Sequence, residues 1–66
     1  MCLSNIYRAS DRKLLMDNTA KIEVKDGVII LRDLFGRVLK INGSIASVDL
    51  ENNEVILQTK EAAELS

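Results

Sequence analysis

The 66-residue chain has no histidine, proline or tryptophan, and its one cysteine is Cys2. Without histidine there is no imidazole base, no Ser-His or Cys-His nucleophile pair and no His-rich metal site. A single cysteine excludes an internal disulfide, and with no histidine it also excludes a zinc finger held by one chain. Neither a GxxxxGK[ST] nor a GxGxxG phosphate-binding motif occurs. We therefore expect no enzyme and assign no catalytic or cofactor-binding residue.

The charge balance and the short apolar runs argue against two further classes of protein, nucleic-acid-binding proteins and membrane proteins. Nine basic and ten acidic residues give a net charge of −1, without the basic excess of nucleic-acid-binding proteins. The two aromatic residues, Tyr7 and Phe35, are expected in the core rather than in a platform for stacking bases. No apolar run approaches the roughly 18 residues of a membrane span, and we expect no signal peptide because the first residues include no basic region followed by an apolar stretch. We expect a cytoplasmic protein, in which a free thiol stays reduced.

Seven of the ten acidic residues lie near turns or strand ends and are expected to form a solvated rim. A catalytic carboxylate pair would require burial, which the sequence does not indicate. These residues are Asp11, Asp17, Asp26, Asp33, Asp49, Glu51 and Glu54.

Turn signals recur every eight to twelve residues between β-branched runs, a pattern typical of small barrels and sandwiches. Residues 20–25 (AKIEVK) alternate, with Ala20, Ile22 and Val24 on one face. Asp26-Gly27 then predicts a tight hairpin turn into 28–32. The other predicted strands are 2–8, 37–41, 44–50 and 54–58, with 13–16 ambiguous. The turns between them are Ser10-Asp11-Arg12, a bend at 33–36 eased by Gly36, a turn or bulge at Asn42-Gly43, and a turn at Asn52-Asn53.

In the 44–50 segment the alternation predicts that Ile45 faces away from Ala46, Val48 and Leu50. These segments together predict an all-β fold, a small antiparallel β-barrel of about six to seven short strands and SH3-like in size. The barrel domain is expected to span 1–59. The tail, 60–66, is expected to be a helical turn or disordered because it is too short to hold a helix alone.

Small size and apolar strand faces both predict a homodimer. A domain of about 60 residues buries only about 60% of the surface of its unfolded chain, so it is marginally stable without disulfides, metals or association. The segments VIIL (28–31) and VIL (55–57) are apolar on both faces, which a sheet with one solvated side does not require. A second copy covering part of this surface accounts for both observations.

Two interpretations of Cys2 are open, one structural and one as a metal ligand. A free cysteine is often only a small apolar residue on a strand. Beside the amino terminus, however, its thiolate and its own backbone nitrogen can hold a metal in a five-membered ring, with or without Met1. Nitrogen and thiolate donors without imidazole or carboxylate favour square-planar Ni(II) or Cu(II) over zinc, and the sequence does not separate these two ions. Two copies related by a two-fold axis would supply two sulfurs and two nitrogens to one ion.

The order of segments resembles the CooT family, small proteins associated with nickel delivery to carbon monoxide dehydrogenase. The matching stretches are MCLSNIY (1–7), KIEVKDGVIILRDLFG (21–36) and GSIASVDLENNEVIL (43–57). The resemblance implies a cytoplasmic homodimer of small β-barrels that binds one Ni(II) per dimer through Cys2, for a nickel enzyme or its maturation proteins. Residues 33–36 carry over only as a structural bend. An RNA-binding small β-barrel and a ligand-free adaptor barrel remain alternatives.

Overall fold

A computed structural model describes residues 3–60. Within this range the chain forms five strands, which close into a barrel in the order β1-β2-β3-β4-β5. The all-β prediction and the small barrel are confirmed, but the number of strands is five instead of six to seven. The strands are β1 Ser4–Arg8, β2 Leu14–Lys25, β3 Val28–Asp33, β4 Val38–Asp49 and β5 Glu54–Thr59.

The smaller number of strands arises because β2 and β4 are long, bent strands of 12 residues each. The first half of β2 pairs with β1 and its second half with β3, with a register shift after Thr19 and a positive φ of 50° at Asn18. Likewise, β4 pairs with β3 up to Asn42 and with β5 from Gly43 onward. Asn42-Gly43 therefore marks a bend within the continuous strand β4. The predicted segments 37–41 and 44–50 are two halves of that one strand.

One strand pair departs from the predicted antiparallel arrangement. β1 and β5 are parallel, with Ile6 opposite Val55 and Tyr7 opposite Ile56, whereas the other four pairs are antiparallel. Parallel strands need a long connection, and here β2, β3 and β4 supply it. This pair closes the barrel and leaves the sheet without free edges.

The hairpin predicted at Asp26-Gly27 is confirmed. Both turn residues have positive φ, 53° for Asp26 and 79° for Gly27, as a two-residue type I′ loop requires. Lys25 and Val28 are directly opposite each other on either side of the turn.

Alternate residues of the strands form the core. Ile29 and Leu31 on β3 and Val55 and Leu57 on β5 are buried, whereas Ile30 and Ile56 between them lie half-buried on the outer face. Segments 28–31 and 55–57, which were predicted to be apolar on both faces, therefore carry apolar side chains on both faces of the barrel sheet. The buried core consists of Ile6, Ile29, Leu31, Ile41, Val55 and Leu57.

The predicted facing of the second half of β4 is wrong. A register shift between Ile45 and Ser47 places Ile45 opposite Leu57 and Val48 opposite Val55. Since directly opposed residues of antiparallel strands share a face, Ile45 and Val48 point to the same face as Leu57 and Val55, although they are 39% and 53% exposed. The extra residue at this bulge breaks the simple alternation on which the prediction depended.

Two predictions concern residues outside the described range. The tail beyond Lys60 is one, and the metal ligand Cys2 is the other. The described part of the chain contains no helix that is long and apolar enough to cross a membrane.

Candidate metal centre

The described residues nearest in sequence to Cys2 are those at the start of β1. There, Ser4 is opposite Thr19 of β2, and Thr19 is opposite Asp33 of β3. Directly opposed residues in antiparallel strands point to one face, so these three polar side chains form a row across β1, β2 and β3. On the other side of β1, Asn5 is paired with Glu54 of β5, and its N–H donates to the Asn53 carbonyl oxygen at 2.9 Å.

The polar row is buried at two of its three positions. Thr19 is 3% exposed and Asp33 is 2% exposed, whereas Ser4 is intermediate. The Thr19 hydroxyl has no hydrogen-bond partner. Buried polar groups are normally satisfied, so this hydroxyl is an unusual feature of the described chain. Asp33 is thus no part of a solvated rim, which corrects the prediction for this residue.

The Asp33 carboxylate organises loop 34–37, the connection between β3 and β4. Its Oδ1 accepts hydrogen bonds from the N–H groups of Phe35 at 2.9 Å and Arg37 at 2.8 Å, and its Oδ2 accepts one from Arg37 Nε. The Gly36 N–H donates to the Asp33 carbonyl oxygen at 3.1 Å, and Gly36 has a φ of 90°. The bend predicted at 33–36, with Gly36 easing the backbone, is confirmed.

Two opposing influences act on the pKa of Asp33. Burial raises the pKa, while the hydrogen bonds from the Arg37 side chain and from the Arg37 and Phe35 main chain lower it. The net result is a pKa below the ordinary value, so the carboxylate is ionised at neutral pH. It is held by Arg37 and by main-chain donors, which suits a structural anchor better than a general base.

The other carboxylates serve local turns or face solvent. Asp11 accepts two hydrogen bonds from the Arg8 guanidinium, at 3.0 and 2.7 Å, which contribute most to lowering its pKa to about 2. Asp49 caps the β4–β5 turn by accepting from Asn52 Nδ2 at 2.8 Å and from the Glu51 and Asn52 N–H groups, and its pKa is also lowered. The rim prediction holds for the exposed Asp11, Asp17, Asp26 and Glu51, and Asp49 and Glu54 are half-buried.

The carboxylates do not gather into a metal-binding cluster. Within residues 3–60, no group of three or more His, Cys, Asp or Glu side chains is placed to hold a metal ion. The one thiol of the chain, that of Cys2, lies outside that range.

A shallow cavity of about 330 Å³ opens beside Arg37. Its lining is mostly apolar, and its two charged residues, Arg37 and Asp17, lie 4.0 Å apart as an ion pair. Asp17 supplies the one carboxylate of the lining, which includes no serine, cysteine, lysine or histidine. The lining residues are Leu14, Leu15, Met16, Asp17, Arg37 and Leu39.

The aromatic residues are only partly where the sequence predicts them. Tyr7 is half-buried, but Phe35 is 75% exposed and therefore not in the core. Asp33 fixes the loop backbone so that position 35 is at the loop tip, a constraint that a hydrophobicity pattern does not reveal. The hydrogen bonds that Asp33 accepts, though not its burial, could have been predicted from its place just before a glycine-containing bend, where Asp commonly accepts from main-chain N–H groups two residues on. For Thr19 the sequence offers no comparable signal.

Comparison with known proteins identifies the family of the chain. No match was found among the curated proteins. Residues 1–58, a stretch that includes Cys2, β1 and the whole of loop 34–37, match the family model described as CO dehydrogenase accessory protein CooT. That description is of an accessory protein, not of a catalyst. The chain belongs to the CooT family of CO dehydrogenase accessory proteins.

Proposed function

We propose that the protein is a nickel chaperone in the maturation of a nickel enzyme such as CO dehydrogenase. A homodimer binds one Ni(II) through two Cys2 thiolates and N-terminal backbone nitrogens, and it delivers the ion in a reducing, cytoplasmic compartment. The observation that carries the proposal is the match to CooT over residues 1–58, which begins at Met1 and includes the only thiol.

The donor chemistry supports nickel as the cargo. Each Cys2 thiol loses its proton when it binds the ion, and the adjacent backbone nitrogen completes a five-membered chelate ring. Sulfur and nitrogen donors in this arrangement suit a square-planar ion. Copper binds such donors at least as tightly, so the choice of nickel depends on which metal is supplied.

Two chains are needed because one chain supplies one thiol. No carboxylate cluster in the described range substitutes for a second thiolate. Cys2 precedes Ser4 by two residues, and two residues span at most about 7 Å, so the donors stay near the start of β1. A partner bound at this end of the barrel brings the second Cys2 to the same ion.

A nickel titration of the full chain tests the proposal. We expect one Ni(II) per two chains and a thiolate-to-metal charge-transfer band, and we expect Cys2→Ser to lose both while its circular dichroism is unchanged. Binding should weaken as pH falls, since protons compete for a thiol whose ordinary pKa is about 8.5.

A relocated thiol provides the matched control. The double variant Cys2→Ser/Ser4→Cys keeps one cysteine per chain but moves it away from the terminal nitrogen. We expect it to bind nickel far more weakly than the wild type. Undiminished, one-per-dimer binding by Cys2→Ser or by the double variant would contradict the chelate.

The RNA-binding alternative finds little support on the described surface. Among the described residues Phe35 is the one ring that is mostly exposed, since Tyr7 is half-buried, whereas stacking platforms combine several aromatics with a basic groove. We expect no change in fluorescence anisotropy with mixed RNA at low salt. Affinity that falls steeply with added salt would revive this alternative.

A further inference from the structure

The outer wall of the barrel is basic where β2, β3 and β4 lie side by side. Directly opposed residues of antiparallel strands share a face, so the register of these strands defines three rows of outward-facing side chains. The rows include four cations and one anion, although the whole chain has a net charge of −1. We call these nine residues the basic face: Lys21, Arg32 and Val38; Glu23, Ile30 and Lys40; Lys25, Val28 and Asn42.

The charged side chains of the basic face are accessible to solvent. All five are exposed, whereas Ile29, Leu31 and Ile41, on the opposite side of β3 and β4, are buried in the core. The three rows extend over two strand spacings and four residue steps, or about 10 by 13 Å of sheet. Long Lys and Arg side chains widen this patch, and its size suits a small, transient contact.

Most cations of the basic face have no acidic partner in the described chain. Lys21 Nζ lies 3.6 Å from a carboxylate oxygen of Glu23, and both side chains are at least half exposed. Over residues 3–60, no ion pair within 4 Å involves Lys25, Arg32 or Lys40. Uncompensated cations on one face produce a positive potential that attracts an acidic molecule and accelerates its association.

Another side of the same barrel is acidic. The outer face formed by β5 and the second half of β4 includes two acids and no cation among its opposed pairs. Positive and negative charge are therefore separated around the barrel, and such a separation orients an approaching partner. The opposed pairs on the acidic side are Asp49 with Glu54, Ser47 with Ile56, and Ser44 with Gln58.

Apolar side chains lie among the cations of the basic face. Val38 is 55% exposed, and Val28 and Ile30 are half-buried. Nucleic acids bind mainly through phosphate contacts, and unpaired bases stack on aromatic rings, of which the basic face has none. Carboxylates interspersed with apolar groups complement this mixture of cations and aliphatic side chains, and a protein surface provides both. The composition of the face thus favours a protein partner.

We propose that the basic face docks an acidic surface of the protein that receives the nickel. The identity of this partner rests on the proposed function. Lys21 and Arg32 belong to the row nearest the start of β1, because Lys21 follows by two residues Thr19, which is opposite Ser4. A partner on the basic face is therefore held beside the start of β1, which Cys2 precedes by two residues in the sequence.

Binding to purified, nickel-free CO dehydrogenase, followed by surface plasmon resonance, tests the inference. We expect Arg32→Glu/Lys40→Glu to raise the dissociation constant at least about tenfold at an ionic strength of about 0.1 M, mainly through slower association. Circular dichroism should be unchanged because both side chains are exposed.

The double variant Arg12→Glu/Lys13→Glu is the matched control. It makes the same change in net charge on the exposed β1–β2 turn, outside the basic face, and it should bind the enzyme like the wild type. Equal weakening by both double variants would show that net charge alone matters and would overturn the inference. A wild type that does not bind, or an Arg32→Glu/Lys40→Glu variant that binds undiminished, would overturn it as well.

Val38→Thr tests the apolar part of the basic face with a side chain of nearly the same shape. We expect the dissociation constant for the enzyme to rise at least about twofold, because a buried methyl group is lost from the contact. Binding to heparin, a polyanion without an apolar surface, should not change. An unchanged affinity for the enzyme would show that charge alone acts here and would contradict the apolar contact.

Other occupants of the basic face are outcomes of the same experiment. Polyuridylate RNA and phosphatidylglycerol vesicles are offered to the same variants. Binding to either that is tighter than to the enzyme and is lost in Arg32→Glu/Lys40→Glu would assign the face to phosphates and overturn the inference. A change in the oligomeric state of this variant in sedimentation equilibrium would assign the face to a second copy and would also overturn it.

Nickel titration of the same samples separates this inference from the proposed function. Both double variants should bind one Ni(II) per two chains, since neither changes Cys2. Normal nickel binding without docking on the basic face would contradict only the inference. Conversely, docking that depends on Arg32 and Lys40, together with equal nickel binding by Cys2→Ser and the wild type, would support the docking face and contradict the proposed function.

Discussion

Replacing Gly43 by alanine is expected to disrupt the barrel. A Cβ atom at this position would lie 2.1 Å from the carbonyl oxygen of Gln58 and 3.0 Å from the Cα of Thr59. Both are main-chain atoms, so no side chain can rotate away and the β4–β5 pairing itself must shift. We expect a loss of roughly 3–5 kcal/mol in the free energy of unfolding, at the upper end of single substitutions. A domain of this size has only about 3–10 kcal/mol in total.

Urea denaturation followed by circular dichroism measures this effect, with Gly27→Ala as the control. Gly27 has a φ of 79°, but a Cβ there meets nothing within 4 Å. The control therefore isolates the cost of a left-handed backbone, about 1–2 kcal/mol, from the cost of a collision. If Gly43→Ala proves no more destabilising than Gly27→Ala, the close approach of β4 to β5 is not a constraint on the fold.

Asp33→Asn is expected to loosen loop 34–37 and to flatten the acid dependence of stability. The pKa of Asp33 is lowered in the folded state, so its ionised form stabilises the fold above the ordinary Asp pKa of about 3.9. That contribution disappears as pH falls through the lowered pKa. The Tm of the variant should be lower by on the order of 5 °C at pH 7, and the difference should shrink below about pH 4.

Asp11→Asn is the matched control for this prediction. The pKa of Asp11 is lowered to about 2, mainly by its hydrogen bonds with Arg8, but the pair is exposed to solvent. Its effect on Tm should be small and should vanish in about 1 M salt, whereas the effect of Asp33→Asn should persist. Equal, salt-sensitive effects for both variants would show that burial of Asp33 does not strengthen its contacts. Hydrogen exchange at the Phe35 amide gives an independent readout of the loop.

The parts of the fold set by neighbouring residues could be predicted from the sequence. Asp26-Gly27 specifies its hairpin because few residues adopt positive φ at two consecutive positions. The apolar runs 28–31 and 55–57 likewise predicted strands that are apolar on both faces, as β3 and β5 are. Family membership could also be inferred, because it resides in continuous stretches of sequence.

Features that depend on distant pairing could not be predicted. The parallel contact between β1 and β5 joins residues about fifty positions apart, and no local pattern encodes it. The bulge after Ile45 and the bend at Gly43 are set by the partner strand, so alternation misassigned Val48 and placed a strand end in the middle of β4. Burial of Asp33 follows from its row with Thr19 and Ser4, which exists only once three strands have met. The metal site of Cys2 stays a prediction.

The parallel pair β1–β5 also determines when this protein can fold during synthesis. Ile6 leaves the ribosome early, but its partner Val55 is among the last residues of the barrel to emerge. At 5–20 residues per second, β1 waits roughly 2–10 s for the strand that encloses it. Until then the antiparallel meander β1-β2-β3-β4 can form, but the barrel stays open. Closure of the barrel is therefore among the last events of folding, because it waits for the final strand.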